Sequence, residues 1–218
     1  MVAFDVVQTL MSLESMRERL SVAGLPGSIL ERWFDRILRD GMALTLAGDY
    51  VRFPVLAASG LRTLASGDIS DDAVEHVMAG FAEAHEQPDA ESAMRMLAGA
   101  GISLVCLTNG PADSTQDFLT RTTLDRFVDE VISVEDVRLW KPAGEVYAHA
   151  LRRLGRPAEE VAMVAVHAWD CHGARRAGLT TGWAGRLETH FPEIFEKPDV
   201  MGEDLIEVAR GLLALPAP

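Results

Sequence analysis

A chain of 218 residues, 48% hydrophobic and 24% charged, is long enough for one substantial core and a small second unit. Its formal charge of −13 argues against nucleic acid, whose phosphates are bound mainly by Lys and Arg, and disfavours an anionic membrane surface. No apolar run approaches the ~20 residues that span a bilayer, and no basic segment precedes the short apolar start, so neither an anchor nor a signal peptide is expected. The two cysteines, Cys106 and Cys171, show no metal-site spacing and are expected to be reduced, in the cytoplasm.

The chain opens on Val2-Ala3-Phe4, an apolar run that stops on Asp5 and turns through Val6-Val7-Gln8 into Thr9-Leu10. A short strand ending this way places a carboxylate just beyond the carboxyl edge of a parallel sheet, where such sheets hold their ligands. Taken alone, Asp5 reads equally as a strand-end cap of the next loop. From Ser12 the pattern becomes helical, with Leu13, Met16 and Leu20 recurring until Gly24-Leu25-Pro26. A longer amphipathic segment from Ser28 puts Leu30, Trp33, Phe34, Ile37 and Leu38 on one side, and Glu31, Arg32, Asp35, Arg36 and Arg39 largely on the other. Helical patterns recur over 53–64 and 70–84, and no strand-like alternation interrupts 11–86. Residues 12–87 therefore read as an all-helical insertion, and 1–11 with 88–218 as the core.

From Pro88 helices alternate with short apolar strands, the mark of a parallel sheet with crossover helices. The predicted order is helix 89–98, strand 102–107, helix 112–122, strand 131–133, helix 144–154, strand 161–166, helix 168–177, strand 180–184 as the last of the sheet, and helix 204–213. The strand ends carry chemistry in series: Asp5, then Thr108-Asn109-Gly110, then Lys141-Pro142, then His167-Ala168-Trp169-Asp170.

That series resembles the haloacid dehalogenase superfamily, and within it the 2-haloacid dehalogenase branch, over nearly the whole chain. The resemblance implies a Rossmann-like α/β core with an inserted all-helical cap domain closing over the site. It implies that Asp5 is a nucleophile that splits one difficult displacement into two steps through an ester. Thr9 then steadies the carboxylate, and Thr108 and Asn109 hold substrate and nucleophile. Lys141 is the cation beside Asp5, Tyr147 lies in the active-site region, and Asp170 pairs with Lys141 and helps place the hydrolytic water. Asp170 also suits the first turn of a helix for its own sake.

Departures from the family pattern are part of the reading. Phosphatases of the superfamily carry a general acid and a magnesium ligand where this chain has Val7 and Val166. No metal and no cofactor are therefore expected, and a halide needs no proton to leave. Phe34 stands where the family has an arginine taken to receive the halide, with Arg36 and Arg39 nearby, and Gln8 replaces a more usual Gly. Ala165 and His167 stand where Ser and Asn are common. His167 is either a water-activating base or a hydrogen-bonding support. Gln8, Phe34, Arg39, Tyr147 and Trp169 are the expected substrate-side residues. The expected activity is hydrolysis of a short 2-haloalkanoic acid. The alternatives are a related hydrolase opening another carbon–heteroatom bond beside a carboxylate and, behind it, a phosphatase. The expected partner is a small carboxylic acid, with a homodimer left open.

Overall fold

Six short apolar strands lie side by side in a computed structural model that describes residues 1–188 and 190–216. These are β1 (Val2–Phe4), β2 (Leu104–Thr108), β3 (Val128–Ser133), β4 (Ala162–Ala165), β5 (Thr180–Ala184) and β6 (Val200–Gly202). All pairings are parallel, in the order β3-β2-β1-β4-β5-β6. Val2 is in register with both Leu104 and Ala162, and Phe4 with both Cys106 and Val164. β1 is thus the strand from which chain order runs outward in both directions, and the crevice beyond its carboxyl end is where such sheets bind ligands. Asp5 is the first residue past that end.

Between β1 and β2 the chain forms α1 (Met16–Val22), α2 (Leu30–Ala47), α3 (Phe53–Leu64), α4 (Asp71–Glu83) and α5 (Ala90–Gly99). After β2 come α6 (Ala112–Arg121), α7 (Gly144–Leu154), α8 (Ala168–Arg176) and α9 (Leu205–Ala214). Strand side chains alternate between two helical layers, as a period of two requires. Val2, Phe4, Leu104, Cys106 and Val164 meet α5, α6 and α9, whereas Ala3, Val105, Leu107, Ile132 and Met163 meet α7 and α8. With both faces covered, the central strands β1, β2 and β4 carry apolar side chains at nearly every position, which is why they stand out in the sequence.

The four helices α1 to α4 share one apolar cluster with the α5 side of the sheet. α2 buries Leu30, Trp33, Phe34, Ile37, Leu38 and Gly41 along one stripe, and α4 opens on Ser70, whose hydroxyl accepts from the Ala73 amide at 3.2 Å. Trp140, beside Lys141, ties this layer to the core. Its backbone N–H donates to Thr45 Oγ1 at 2.9 Å, its indole N–H donates to the Val51 carbonyl at 3.0 Å, and Phe53 stacks on its ring at 6.0 Å. A Cβ at Gly41 would overlap that indole, so only glycine lets α2 approach this closely.

Several boundaries differ from the sequence expectation. α1 starts at Met16, not near Ser12, because Met11 bridges Glu86 and the Ser12 amide donates to the His85 carbonyl at 2.7 Å. Those pairings close the neck of the insertion and take the residues out of a helix. β5 is not the last strand: β6 pairs outside it, three residues of which Val200 alone is buried, too short to show alternation. β3 begins at Val128, where the adjacent Asp129 and Glu130 break the apolar run and hide an edge strand. Among the described residues no helix is long and apolar enough to cross a membrane.

Candidate active site

Asp5 leaves β1 with its amide donating to the Val164 carbonyl at 2.9 Å, and the chain turns back at once through Leu10 and Met11 amides that both donate to the Val6 carbonyl. The tight turn lifts Thr9 over the carboxylate, where its hydroxyl donates to Asp5 Oδ2 at 2.6 Å and accepts from the Val166 amide at 3.2 Å. Lys141 Nζ donates to Asp5 Oδ1 at 2.8 Å, and His167 Nδ1 lies 3.2 Å from Oδ2. Asp5 is buried. Burial alone would push its carboxyl up, but the Lys141 charge and the His167 contacts hold it well below the usual carboxylate range. It is an ionised carboxylate in a dry place.

Lys141 is fully buried and uses all its ammonium donors, on Asp5, on the Leu107 carbonyl at 2.9 Å and on Asp170 Oδ2 at 2.6 Å. Burial favours its neutral form, yet the charges of Asp170 and Asp5 outweigh burial and raise its pKa. Its amide donates to Asn109 Oδ1 at 3.0 Å, fixing the strand-end loop that carries it. Tyr147, one turn into α7, donates to Asp170 Oδ1 at 2.6 Å. Asp170 is pushed up by burial, with Lys141 pulling it down and Asp5 pushing it up. Every charge in the trio is hydrogen-bonded, which is what makes a buried charged group tolerable.

Above Asp5 lies an enclosed cavity of about 10 Å³, roughly the space of one water. Its core-side wall is Asp5, Asn109, His167 and Trp169, and Val7, Phe34, Leu38 and Phe53 close it. Phe34 and Trp169 both stack on the His167 ring, with centroids at 5.9 and 5.1 Å. His167 Nε2 lies 3.0 Å from Gln8 Oε1. Gln8 has φ 68°, a left-handed backbone that explains why glycine suits this place. Its carbonyl accepts from Gln87 Nε2 at 3.0 Å and Arg186 Nη1 at 3.3 Å, and Arg186 pairs with Asp89. A wider groove along α3, walled by Pro54, Val55, Ala58 and Arg62, is open surface without a buried ionisable group.

The fold therefore brings together Asp5, Gln8, Thr9, Asn109, Lys141, Tyr147, His167 and Asp170, with Phe34 and Trp169 on the wall. Thr108 is buried beside them, its hydroxyl accepting from the Gly110 amide at 2.9 Å, so it shapes the Asn109 turn. Arg39 is not brought in. It points off the buried stripe of α2, exposed, and donates to Asp40 at 2.7 Å. Arg36 also turns to Asp40, at 3.4 Å. Sequence reasoning placed Val7 at the site as the residue standing for a general acid; it missed the wall residues Leu38 and Phe53, which read as ordinary core, and the supports Gln87, Asp89 and Arg186. A polar residue where glycine is usual, Gln8, was the one signal that the loop needs such supports.

The donor set does not fit a divalent cation. Val7 and Val166 are apolar, and the Lys141 ammonium occupies the space between the Asp5 and Asp170 carboxylates. Among the described residues no group of three or more His, Cys, Asp or Glu side chains converges.

Comparison with known proteins gives matching results. Residues 3–178 match a family model described as haloacid dehalogenase-like hydrolase. An (S)-2-haloacid dehalogenase of Pseudomonas putida is 30% identical over 217 residues, covering 97% of this chain and 96% of that protein. A crystal structure of an L-2-haloacid dehalogenase superimposes with a TM-score of 0.91 at 27% identity, covering 98% of each chain. An L-2-haloacid dehalogenase from Xanthobacter autotrophicus, with chloropropionic acid covalently bound, shares the fold at a TM-score of 0.90 and 22% identity, covering 99% of this chain and 98% of that one.

Proposed function

The chain belongs to the haloacid dehalogenase-like hydrolases, and from that membership we propose that it hydrolyses the carbon–halogen bond of short (S)-2-haloalkanoic acids through an ester on Asp5. The observation that carries the reading is Asp5 itself, buried and ionised, steadied by Thr9 and Lys141, and facing a small, largely apolar cavity. An Asp5 oxygen attacks the carbon bearing the halogen, and that bond breaks with its electron pair on the halide. Water then adds to the Asp5 carboxyl carbon. The acyl oxygen bond breaks, the 2-hydroxy acid leaves with one proton from water, Asp5 is restored, and the second proton passes to solvent. The first step calls for no acid at the place of Val7, because halide leaves unprotonated.

In this reading Lys141 offsets the charge on Asp5 along the way, Asn109 and Thr108 shape the floor under the substrate carboxylate, and Asp170 places the hydrolytic water. Phe34 and Trp169 form the walls. Helices α1 to α4 act as the cap, and the reaction runs without metal or cofactor. The partner is a small carboxylic acid. A cytoplasmic setting belongs to the same proposal, supported by two cysteines that are both free and buried, and a second copy of the chain is the partner that sizing of the purified protein would detect.

The test is halide release from a panel of chloroacetate, bromoacetate and both enantiomers of 2-chloropropionate, with and without a chelator. We expect release from small haloacids with a preference for the S enantiomer, unchanged by chelation and not stimulated by magnesium. Folded protein that releases no halide from any of them overturns the reading. Strict dependence on magnesium would move it to the phosphatase side.

A further inference from the structure

Two ionisable side chains reach the cavity wall, Asp5 and His167, and the rest of the wall is Asn109 with aliphatic and aromatic groups. Lys141 has no donor left for a ligand, since its three ammonium N–H groups serve Asp5, Leu107 and Asp170. Asp5, Lys141 and Asp170 together carry one net negative charge. A haloacid brings a second negative charge, and the departing halide is an anion too. A positive group at the wall would offset these anions, and His167 is the side chain placed to supply it.

The ring stands between two oxygen atoms and two aromatic faces. Nδ1 lies 3.2 Å from Asp5 Oδ2 and Nε2 lies 3.0 Å from Gln8 Oε1, so both nitrogens face acceptors. With the Gln8 oxygen toward the ring, a neutral imidazole, which has one N–H, satisfies only one of them, whereas an imidazolium donates to both. The Phe34 and Trp169 rings, with centroids 5.9 and 5.1 Å away, offer aromatic faces of the kind that attract a cation within about 6 Å. Asp35 on α2 and Glu188 from the loop after β5 are within electrostatic reach. Partial burial raises both carboxyls above their ordinary values. Lys141 is the opposing cation, and Asp5 stands between it and the ring. Gln8 holds its side chain toward the ring from a left-handed backbone that Met11, Gln87 and Arg186 keep in place. Such backbone is kept where function requires it.

We infer that His167 works as an imidazolium that binds the anionic groups of the substrate and the departing halide, with Gln8 as the positioning residue that holds its ring. The inference rests on the dehalogenase reading of the site. As the Asp5 oxygen bonds to carbon, its negative charge passes with the electron pair of the broken bond to the halide. The imidazolium at the wall then offsets the charge that has passed to the halide. The imidazolium keeps its proton throughout this step.

Two measurements test this, one of them independent of turnover. Nitrogen-resolved NMR of the histidine rings in the full-length protein should show both His167 nitrogens protonated at neutral pH. The pH at which that signal titrates should rise in Gln8→Glu and fall in Gln8→Met. One unprotonated His167 nitrogen at neutral pH overturns the proposal. In rapid-quench experiments the first-turnover release of bromide from bromoacetate should fall as pH rises through the same titration. His167→Asn should slow that release about 100-fold, the loss seen when one preorganised donor is removed, and should lose the alkaline fall. If His167→Asn instead releases the first bromide at the wild-type rate and stalls with an ester on Asp5, His167 is a base for the water step and the proposal is wrong. A wild-type protein that releases no halide overturns the dehalogenase reading, and the ring spectrum then still decides the charge on His167.

Discussion

At the scale of single residues the site depends on one ammonium. Lys141 is what allows Asp5 and Asp170 to stand charged within hydrogen-bond reach of the same atom, away from water. Replacing it with alanine leaves two buried carboxylates facing each other, a change that costs about 3–5 kcal/mol when a buried pair loses one partner. We predict that Lys141→Ala lowers the urea midpoint by a corresponding amount and abolishes halide release, whereas Asp5→Asn abolishes release with little loss of midpoint because the amide still accepts from Lys141. An unchanged midpoint in Lys141→Ala would mean that the bridge has no net worth. Asp5 was legible in the sequence because it ends an apolar run, and Lys141 and Asp170, which lie beyond the ends of later strands, because their order along the chain resembles the family's series. Arg39 was not, since helical spacing gives a face but not which neighbour claims a long side chain, and Asp40 claims it. Phe53 and Leu38 escaped notice for a different reason: a wall residue of an apolar pocket has the same composition and period as a core residue.

At the scale of elements, α2 carries the wall and Trp140 holds α2 down. Gly41 is where the two touch. Gly41→Ala would ordinarily favour a helix, but here the added carbon forces the indole or the helix to move, an overpacking that typically costs about 1–3 kcal/mol. We predict a lower thermal midpoint together with a raised KM, because moving α2 moves Phe34 and Leu38. A midpoint that rises, as helix propensity alone would give, contradicts this docking. The helices of the insertion were legible from amphipathic spacing, and the central strands from their apolar runs. α1 lost its first turn to a bridge between Met11 and Glu86, a tertiary pairing that no local pattern announces. β6 went unseen because three residues with one buried side chain carry no period. Edges and necks are set by what the chain meets later, and the sequence around them is correspondingly mute.

At the scale of the whole molecule, stability should fall on the alkaline side. Burial pushes the Cys106 thiol up to about 12, raises Cys171 well above its ordinary value, and together with the Asp170 charge raises Tyr147. Lys141 is raised by its two carboxylates against burial. In each case the folded state holds its proton more tightly than the unfolded chain does, so the stability is fully present below the unfolded pKa and is lost as pH rises toward the folded one. The unfolded thiols titrate near 9.0, which sets where the decline begins. We expect urea midpoints to decline steadily above that pH, and Cys106→Ala to flatten the first part of the decline even where it lowers the midpoint overall. Flat midpoints into strong base would show that these groups ionise without unfolding.

The central claim, that the substrate carbon is bonded to the protein before water enters, is tested by where oxygen goes. In a single turnover in heavy-oxygen water, with enzyme in excess over bromoacetate, the hydroxyl oxygen of the first product must come from Asp5. Water replaces it on the carboxylate. Label is expected in the peptide that contains Asp5 and almost none in the hydroxy acid. Label that appears in the hydroxy acid during that first turnover, with the Asp5 peptide unlabelled, would mean direct attack by water and would contradict the claim.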